Sequence, residues 1–183
     1  MREIRAVLSG RWRMFLEDVD GQLPELVELH CFGGFVLAVC YALPRPTGDV
    51  DYITEVPLAG AENIEALAGE LSDLAKKHRL HFQRVTIAEI PEDYEQRPVR
   101  IFAQDFTQLR LFALEAHDLV LSKLSRNHPK DLEDAKFLAA GGWLDPEVLR
   151  ERYRHELRPN LANERRHDLT LKLWLEACFG TLT

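Results

Sequence analysis

Residues 27–56, VELHCFGGFVLAVCYALPRPTGDVDYITEV, constrain the fold more than any other stretch of the chain. An apolar run ends at Gly33 and Gly34, a second apolar run follows, and a proline-rich turn leads into DVDYITEV. Glycine places no side chain on a backbone that must turn sharply or approach another group closely. The pattern predicts a strand, a helix that starts at the glycine pair, and a second strand that starts at Asp49.

Asp49 and Asp51 are separated by one residue, so on a strand both carboxylates point to the same face of the sheet. Two neighbouring carboxylates repel each other unless a cation lies between them. A divalent metal shared with the phosphates of a nucleotide fits that place, and the backbone N–H groups at the start of a helix would face the phosphates. The alternative is that Gly33 and Gly34 only permit a tight turn or close packing.

The sequence pattern changes midway along the chain, from alternating strand-type and helical runs to helical runs. Between residues 27 and 113, short strand-type runs such as LHFQRVTI, PVRIFA and LRLFAL alternate with helical ones, of which AENIEALAGELSDLAKKHR is the longest. After Glu115 the pattern is helical, with breaks at RNHPKD, GGWLDPEV and LRPN. We expect an α+β (mixed α/β) fold: a mixed sheet flanked by helices in residues 1–115, and a helical part, residues 116–183, packed on that core as a single compact unit.

Two helices are expected at the ends of the chain. The N-terminal stretch MREIRAVLSGRWRMFLEDVDG is interrupted by charges and is typical of an amphipathic helix rather than a secretory signal. In the last helix, Leu169, Leu173 and Trp174 recur at helical spacing, and Trp143 follows a glycine pair. All four are expected in the core.

The net charge and the lengths of the apolar runs disfavour two classes of protein. A formal net charge of -7 disfavours a protein whose main affinity is for duplex DNA, and no apolar run approaches the ~20 residues that cross a bilayer. Cys31, Cys40 and Cys178 lack metal-finger spacing and lie among apolar neighbours. We expect buried free thiols in a cytoplasmic protein.

The glycine pair followed after fourteen residues by DVD resembles the signature of the nucleotidyltransferase superfamily related to DNA polymerase beta. The stretch FGGFVLAVCYALPRPTGDVDYI is also similar to minimal prokaryotic members, including the AbiEii-type toxins of toxin–antitoxin systems. The resemblance, which covers about residues 26–140, implies transfer of a nucleoside monophosphate from a nucleoside triphosphate to a hydroxyl group of RNA or protein, with release of pyrophosphate. It further implies a cognate antitoxin as a partner.

The resemblance also assigns roles to residues of the first motif. Asp49 and Asp51 would bind Mg²⁺, or Mn²⁺ in its place, and Gly33 and Gly34 would receive the phosphates. Arg45 and Thr47, in the turn before the second strand, would orient the triphosphate. For Arg45 the alternative is a solvated loop side chain.

A later segment, HDLVLSKLSRNHPKDLEDAKFL, resembles the second motif of the AbiEii-type proteins. By that resemblance Lys123 and Asp134 are catalytic, while Lys130 and Asp131 contact the nucleotide. The residues also allow a structural interpretation: Asp131 falls in the first turn of a helix, and Lys130 and Asp134 are spaced as a surface ion pair. Lys123 lies among apolar residues, where a buried ammonium group requires a partner.

One departure from the superfamily pattern concerns a third carboxylate. Many members place an acidic residue on a later strand beside the aspartate pair, but the corresponding run here, LHFQRVTI, contains none. Either Asp134 takes its place, as the AbiEii-type resemblance implies, or catalysis is reduced or lost. In the second case the protein would be a nucleotide-binding or protein-interaction module.

Overall fold

A computed structural model describes residue 4, residues 6–8, residues 10–56 and residues 61–180. The chain divides into two compact units. The sheet unit comprises Ile4–Thr86 and Pro98–Leu114, and the helical unit comprises Ile87–Arg97 and the chain from Glu115 onward. The docking of a helical part on the core stays a prediction.

Five strands form one mixed sheet in the sheet unit, in the order β3-β2-β1-β5-β4. The central strand β1 pairs antiparallel with β2 and parallel with β5, while β3 pairs parallel with β2 and β4 antiparallel with β5. The predicted α+β class is confirmed. The strands are β1 (Val27–Phe32), β2 (Asp49–Val56), β3 (His81–Arg84), β4 (Val99–Ile101) and β5 (Leu109–Ala113).

Among its described residues the sheet unit contains four helices: α1 (Gly10–Asp20), α2 (Gly33–Tyr41), α3 (Ala61–Ala68) and α4 (Asp73–His78). The expectation of one long helix over AENIEALAGELSDLAKKHR is wrong, because the chain turns after α3 and Ser72 starts a new helix by accepting the N–H of Ala75. The N-terminal helix is shorter than expected. It starts at Gly10, and the described residues before it are not helical.

Alternation along the strands separates two faces of the sheet. One face is buried and packs under the helices, as the zero exposure of Leu29, Val50 and Tyr52 shows. Cys31 lies on this face and Cys40 in α2, and burial raises the pKa of both thiols, that of Cys40 to about 12. Both are free and buried as expected, whereas Cys178 is only half-buried.

The helical unit contains α5 (Ala116–Leu124), α6 (Pro129–Ala140), α7 (Pro146–Arg152) and α8 (Glu164–Phe179). These helices end at the three predicted breaks. A 3-10 segment, Glu92–Gln96, precedes them, and a π-helical turn, Tyr153–Leu157, continues α7. In the described part of the chain no helix is long and apolar enough to span a membrane.

The face that α8 buries differs from the expected one. Trp174 is buried and its indole N–H donates to the Asn127 side chain at 3.0 Å, but Leu169 and Leu173 are more than half exposed. Thr170 and Leu171 are buried instead. Residues spaced by four positions share a helix face, so spacing alone did not show which of two candidate faces meets the core.

A buried ionic network holds the helical unit together. Asp118, 1% exposed, accepts two hydrogen bonds from Arg97, at 2.9 and 3.1 Å, and one from Arg152 at 3.0 Å. Arg152 also binds Glu115 at 2.6 Å, and Arg97 binds Glu156 at 2.5 Å. Every charge in the network has an opposite partner, as buried charges require. Arg97 thereby ties Ile87–Arg97 to α5.

Candidate functional site

The start of α2 and the carboxylate of Asp51 share one small space. Gly33 is the first residue of α2, is buried, and has a φ of 71°. A Cβ atom added there would lie 2.1 Å from Asp51 Oδ2. Only glycine accommodates both the left-handed backbone and this approach, so Gly33 is required for Asp51 to reach the helix start.

The register of the sheet produces this contact. Phe32, the last residue of β1 and the N-cap of α2, pairs with Asp51 across the antiparallel β1–β2 ladder. Asp49 and Asp51 alternate with the fully buried Val50 and Tyr52, so both aspartates lie on the opposite, more open face of β2. The two carboxylates therefore share a face of the sheet, as the sequence predicts for a strand.

The second glycine allows a similar approach by Thr47. A Cβ atom added at Gly34 would lie 2.9 Å from Thr47 Oγ1. The same hydroxyl donates a 2.5 Å hydrogen bond to Asp49 Oδ1. Thr47 therefore fixes the orientation of the Asp49 carboxylate against α2. The two glycines and two aspartates of the motif form one connected arrangement, in which Thr47 is the link that the sequence did not show.

The neighbouring strand supplies the residues beside the aspartates. In the parallel β2–β3 ladder, Asp49 pairs with His81 and Asp51 pairs with Gln83. Paired residues on adjacent strands point to the same face, so position 83 is where an acidic side chain would stand next to Asp51. The side chain there is an exposed, neutral amide. The third carboxylate is absent from β3, as expected from the sequence.

The two aspartates could supply only part of the ligands of a metal ion. Among the described residues, no group of three or more histidine, cysteine or acidic side chains is arranged to hold a metal ion. Magnesium is often bound through one or two carboxylates together with substrate phosphates and water, because it prefers hard oxygen ligands. Asp49 and Asp51 fit that mode, in which the nucleotide brings the remaining ligands.

Arg45 lies in the segment between α2 and β2, and it is half-buried. Its backbone N–H donates to the carbonyl of Leu43 at 2.8 Å, which shapes the turn that delivers Thr47 and Asp49. Its role toward a triphosphate stays a prediction.

Lys123 and Asp134, the predicted catalytic pair of the second motif, meet inside the helical unit. Lys123 Nζ lies 3.2 Å from Asp134 Oδ2 and 3.6 Å from Asp131 Oδ1. Lys123 is 6% exposed and Asp134 1% exposed. The partner that a buried lysine requires is therefore present, and Asp134 is not the surface residue that its spacing from Lys130 allowed.

Besides Lys123, the Asp131 carboxylate binds Arg126 and the start of α6. Its carboxylate receives two hydrogen bonds from Arg126, at 2.9 and 2.6 Å, and one at 3.0 Å from the N–H of His128, the N-cap of α6. Burial raises the pKa of Asp131, but the bonds from Arg126, the charge of Lys123 and the N–H of His128 outweigh it, so the pKa falls below its usual value. These contacts are those of a helix-capping residue. Lys130 is exposed at the start of α6.

A family model described as "nucleotidyltransferase of unknown function (DUF6036)" matches residues 15–177. The chain belongs to this family. The matched range includes both aspartates, both glycines and the Lys123 cluster, so the DUF6036 family extends across the sheet unit and most of the helical unit. No curated protein and no solved structure matches the chain.

Because Asp51 lies so close to Gly33, we expect a methyl group added at position 33 to destabilise the protein strongly. Gly33→Ala should lower the free energy of unfolding by more than the ~1–2 kcal/mol of a left-handed alanine, because its Cβ would also displace the carboxylate. Urea unfolding measures the change. In an Asp51→Gly background the cost of Gly33→Ala should fall toward the backbone value.

Gly142→Ala is the matched control, since Gly142 has nearly the same left-handed φ, 70°, and a Cβ atom there meets nothing within 4 Å. Equal costs of Gly33→Ala with and without the Asp51 side chain would contradict the contact.

Proposed function

We propose that this DUF6036 protein is a Mg²⁺-dependent nucleotidyltransferase that transfers a nucleoside monophosphate from a nucleoside triphosphate to a hydroxyl group of RNA or protein, with release of pyrophosphate. The observation that carries the proposal is the placement of Asp51 against the first residue of α2, with Asp49 on the same strand face. Membership in a nucleotidyltransferase family supports the same reaction class.

Each part of the motif has a task in that reaction. The first N–H groups of α2 carry no intrahelical partner and a partial positive charge, so they suit the phosphates of the triphosphate. Asp49 and Asp51 would hold the metal, and Thr47 keeps the Asp49 carboxylate in place through its 2.5 Å hydrogen bond. When bound, Mg²⁺ would neutralise charge on the phosphates. Arg45 would add a further positive charge.

The finer assignment follows the AbiEii-type resemblance: a cytoplasmic toxin held by an antitoxin protein, with Lys123 and Asp134 as its second catalytic pair. The contact of 3.2 Å between these two side chains and their burial equally suit a structural ion pair. We therefore assign the metal and phosphate chemistry to Asp49 and Asp51. Lys123, Lys130, Asp131 and Asp134 remain candidates through the resemblance, and of these four only Lys130 is exposed.

A second function is favoured by one observation, the neutral Gln83 beside Asp51. Without a third carboxylate, nucleotide binding would persist while transfer is slow, and the protein would serve as a nucleotide-binding or protein-interaction module. The transferase would turn over its nucleotide, whereas the binding module would not. In both proposals the nucleotide binds at the aspartate pair.

Transfer is tested by incubating the protein with each of the four α-labelled nucleoside triphosphates, Mg²⁺, and total cellular RNA or protein. We expect labelled product that EDTA abolishes. Asp49→Asn combined with Asp51→Asn should lower the rate by at least about 100-fold, equivalent to roughly 2.7 kcal/mol of barrier.

Asp73→Asn is the control because Asp73 is fully exposed on α4, and that variant should retain the full rate. Product formed at equal rates by the double variant would contradict the proposed reaction. Metal-dependent binding without any product would support the binding module instead.

Position 83 provides a gain-of-function test. Gln83→Glu places a third carboxylate beside Asp51, so the Mg²⁺ concentration needed for half-maximal nucleotide binding should fall by about tenfold. Titration of Mg²⁺ against a fluorescent triphosphate analogue measures it. Gln104→Glu, an exposed residue after β4, adds the same charge elsewhere and should have little effect. An unchanged Mg²⁺ requirement in Gln83→Glu would show that position 83 does not face the metal.

A further inference from the structure

A groove of about 560 Å³ lies in the helical unit, between the end of α7, the π-helical turn and α8. Its volume is in the range of small-molecule sites. None of its lining residues belongs to the motifs discussed above. The lining comprises Arg150, Tyr153, Arg154, Arg158, Asp168, Leu171, Lys172, Leu175, Glu176 and Gly180.

The π-helical turn shapes this groove. The N–H of Arg158 donates to the carbonyl of Tyr153, five residues earlier, which widens the helix at this point. Tyr153 and Arg158 then both reach Asp168 on α8: the Tyr153 hydroxyl donates at 2.8 Å, and the Arg158 guanidinium donates at 2.8 and 3.1 Å. These polar contacts fix the π-helical turn against α8 beside the groove. Such π turns occur frequently at functional sites.

The charge of the lining is opposite to that of the chain. Four basic and two acidic side chains line the groove, a surplus of two positive charges in a protein of net charge -7. Arg158 pairs with both Asp168 and Glu164, Arg150 pairs with Glu147, and Lys172 lies 3.9 Å from Glu176 in an exposed pair that water screens. Arg154 is exposed and forms no ion pair with any residue that the structure describes.

The floor of the groove is apolar. Leu171 and Leu175 are both buried on α8, and the hydroxyl of the buried Tyr153 is already engaged by Asp168. A ligand that combines a flat ring, whose face can pack on the two leucines, with a negative charge at one end would fit this lining. A solvated helix face requires neither a concave volume of this size nor an apolar floor.

We propose that this groove binds a free nucleoside monophosphate, with the phosphate against Arg154 and Lys172 and the ring over Leu171 and Leu175. The site is made of residues other than the aspartate pair and needs no metal, so the inference does not depend on the proposed transferase reaction. Arginine and lysine bind phosphate through charge-assisted hydrogen bonds, whereas a neutral nucleoside would gain only the apolar contact.

The test is isothermal titration of the full-length protein with AMP, CMP, GMP and UMP in EDTA. At least one should bind with a dissociation constant below about 1 mM, and its uncharged nucleoside should bind at least about tenfold more weakly. Arg154→Gln combined with Lys172→Gln should weaken monophosphate binding by about tenfold or more. Both residues are exposed, so the double variant should keep the wild-type melting temperature.

Two controls separate this site from others. Arg165→Gln combined with Arg166→Gln removes the same charge from exposed positions of α8 outside the groove and should leave the affinity unchanged. Asp49→Asn combined with Asp51→Asn should also leave it unchanged. The proposal is overturned if no monophosphate binds in EDTA, if the nucleoside binds as well as its monophosphate, or if loss of Arg154 and Lys172 has no effect.

Discussion

The absence of a side chain at Gly33 is the constraint on which the site depends. The space that a Cβ atom would fill is occupied by the Asp51 carboxylate, and the β1–β2 register brings Phe32 opposite Asp51. A shift of this register by one residue would turn both aspartates to the buried face and place Val50 and Tyr52 on the open one. The apolar burial of Val50 and Tyr52 therefore fixes the position of the two carboxylates as firmly as any polar contact does.

The helical unit differs in that its apolar interior also contains buried charges. Asp118 forms ion pairs with Arg97 and Arg152, and Asp131 forms ion pairs with Arg126 and Lys123. Loss of one partner from such a pair typically costs about 3–5 kcal/mol, since the remaining charge stays buried. This cost explains how Lys123 and the two aspartates of α6 can be indispensable for structural reasons alone. A loss of activity on their substitution is thus weaker evidence for catalysis than a loss at Asp49.

The sequence predicted what depends on local pattern. The five strands, the helix start at Gly33 and the shared face of Asp49 and Asp51 follow from alternation and glycine placement, and all are present. It did not reveal the Thr47–Asp49 hydrogen bond, the partners of Lys123 or the network around Arg97, because these join side chains brought together by folding. The prediction that Leu169 and Leu173 lie in the core was wrong for a related reason. Helix α8 has two apolar faces, and only tertiary packing determines which of them is buried.

The central claim is that Asp49 and Asp51 bind a nucleotide through a shared metal ion at the start of α2. Calorimetric titration with non-hydrolysable analogues of the four nucleoside triphosphates, with Mg²⁺ and with EDTA, tests it most directly. We predict that Mg²⁺ strengthens the binding of at least one analogue by about 100-fold and that Asp49→Asn with Asp51→Asn removes this gain. Affinity that is equal with Mg²⁺ and with EDTA, or a gain that survives in the double variant, would contradict the claim.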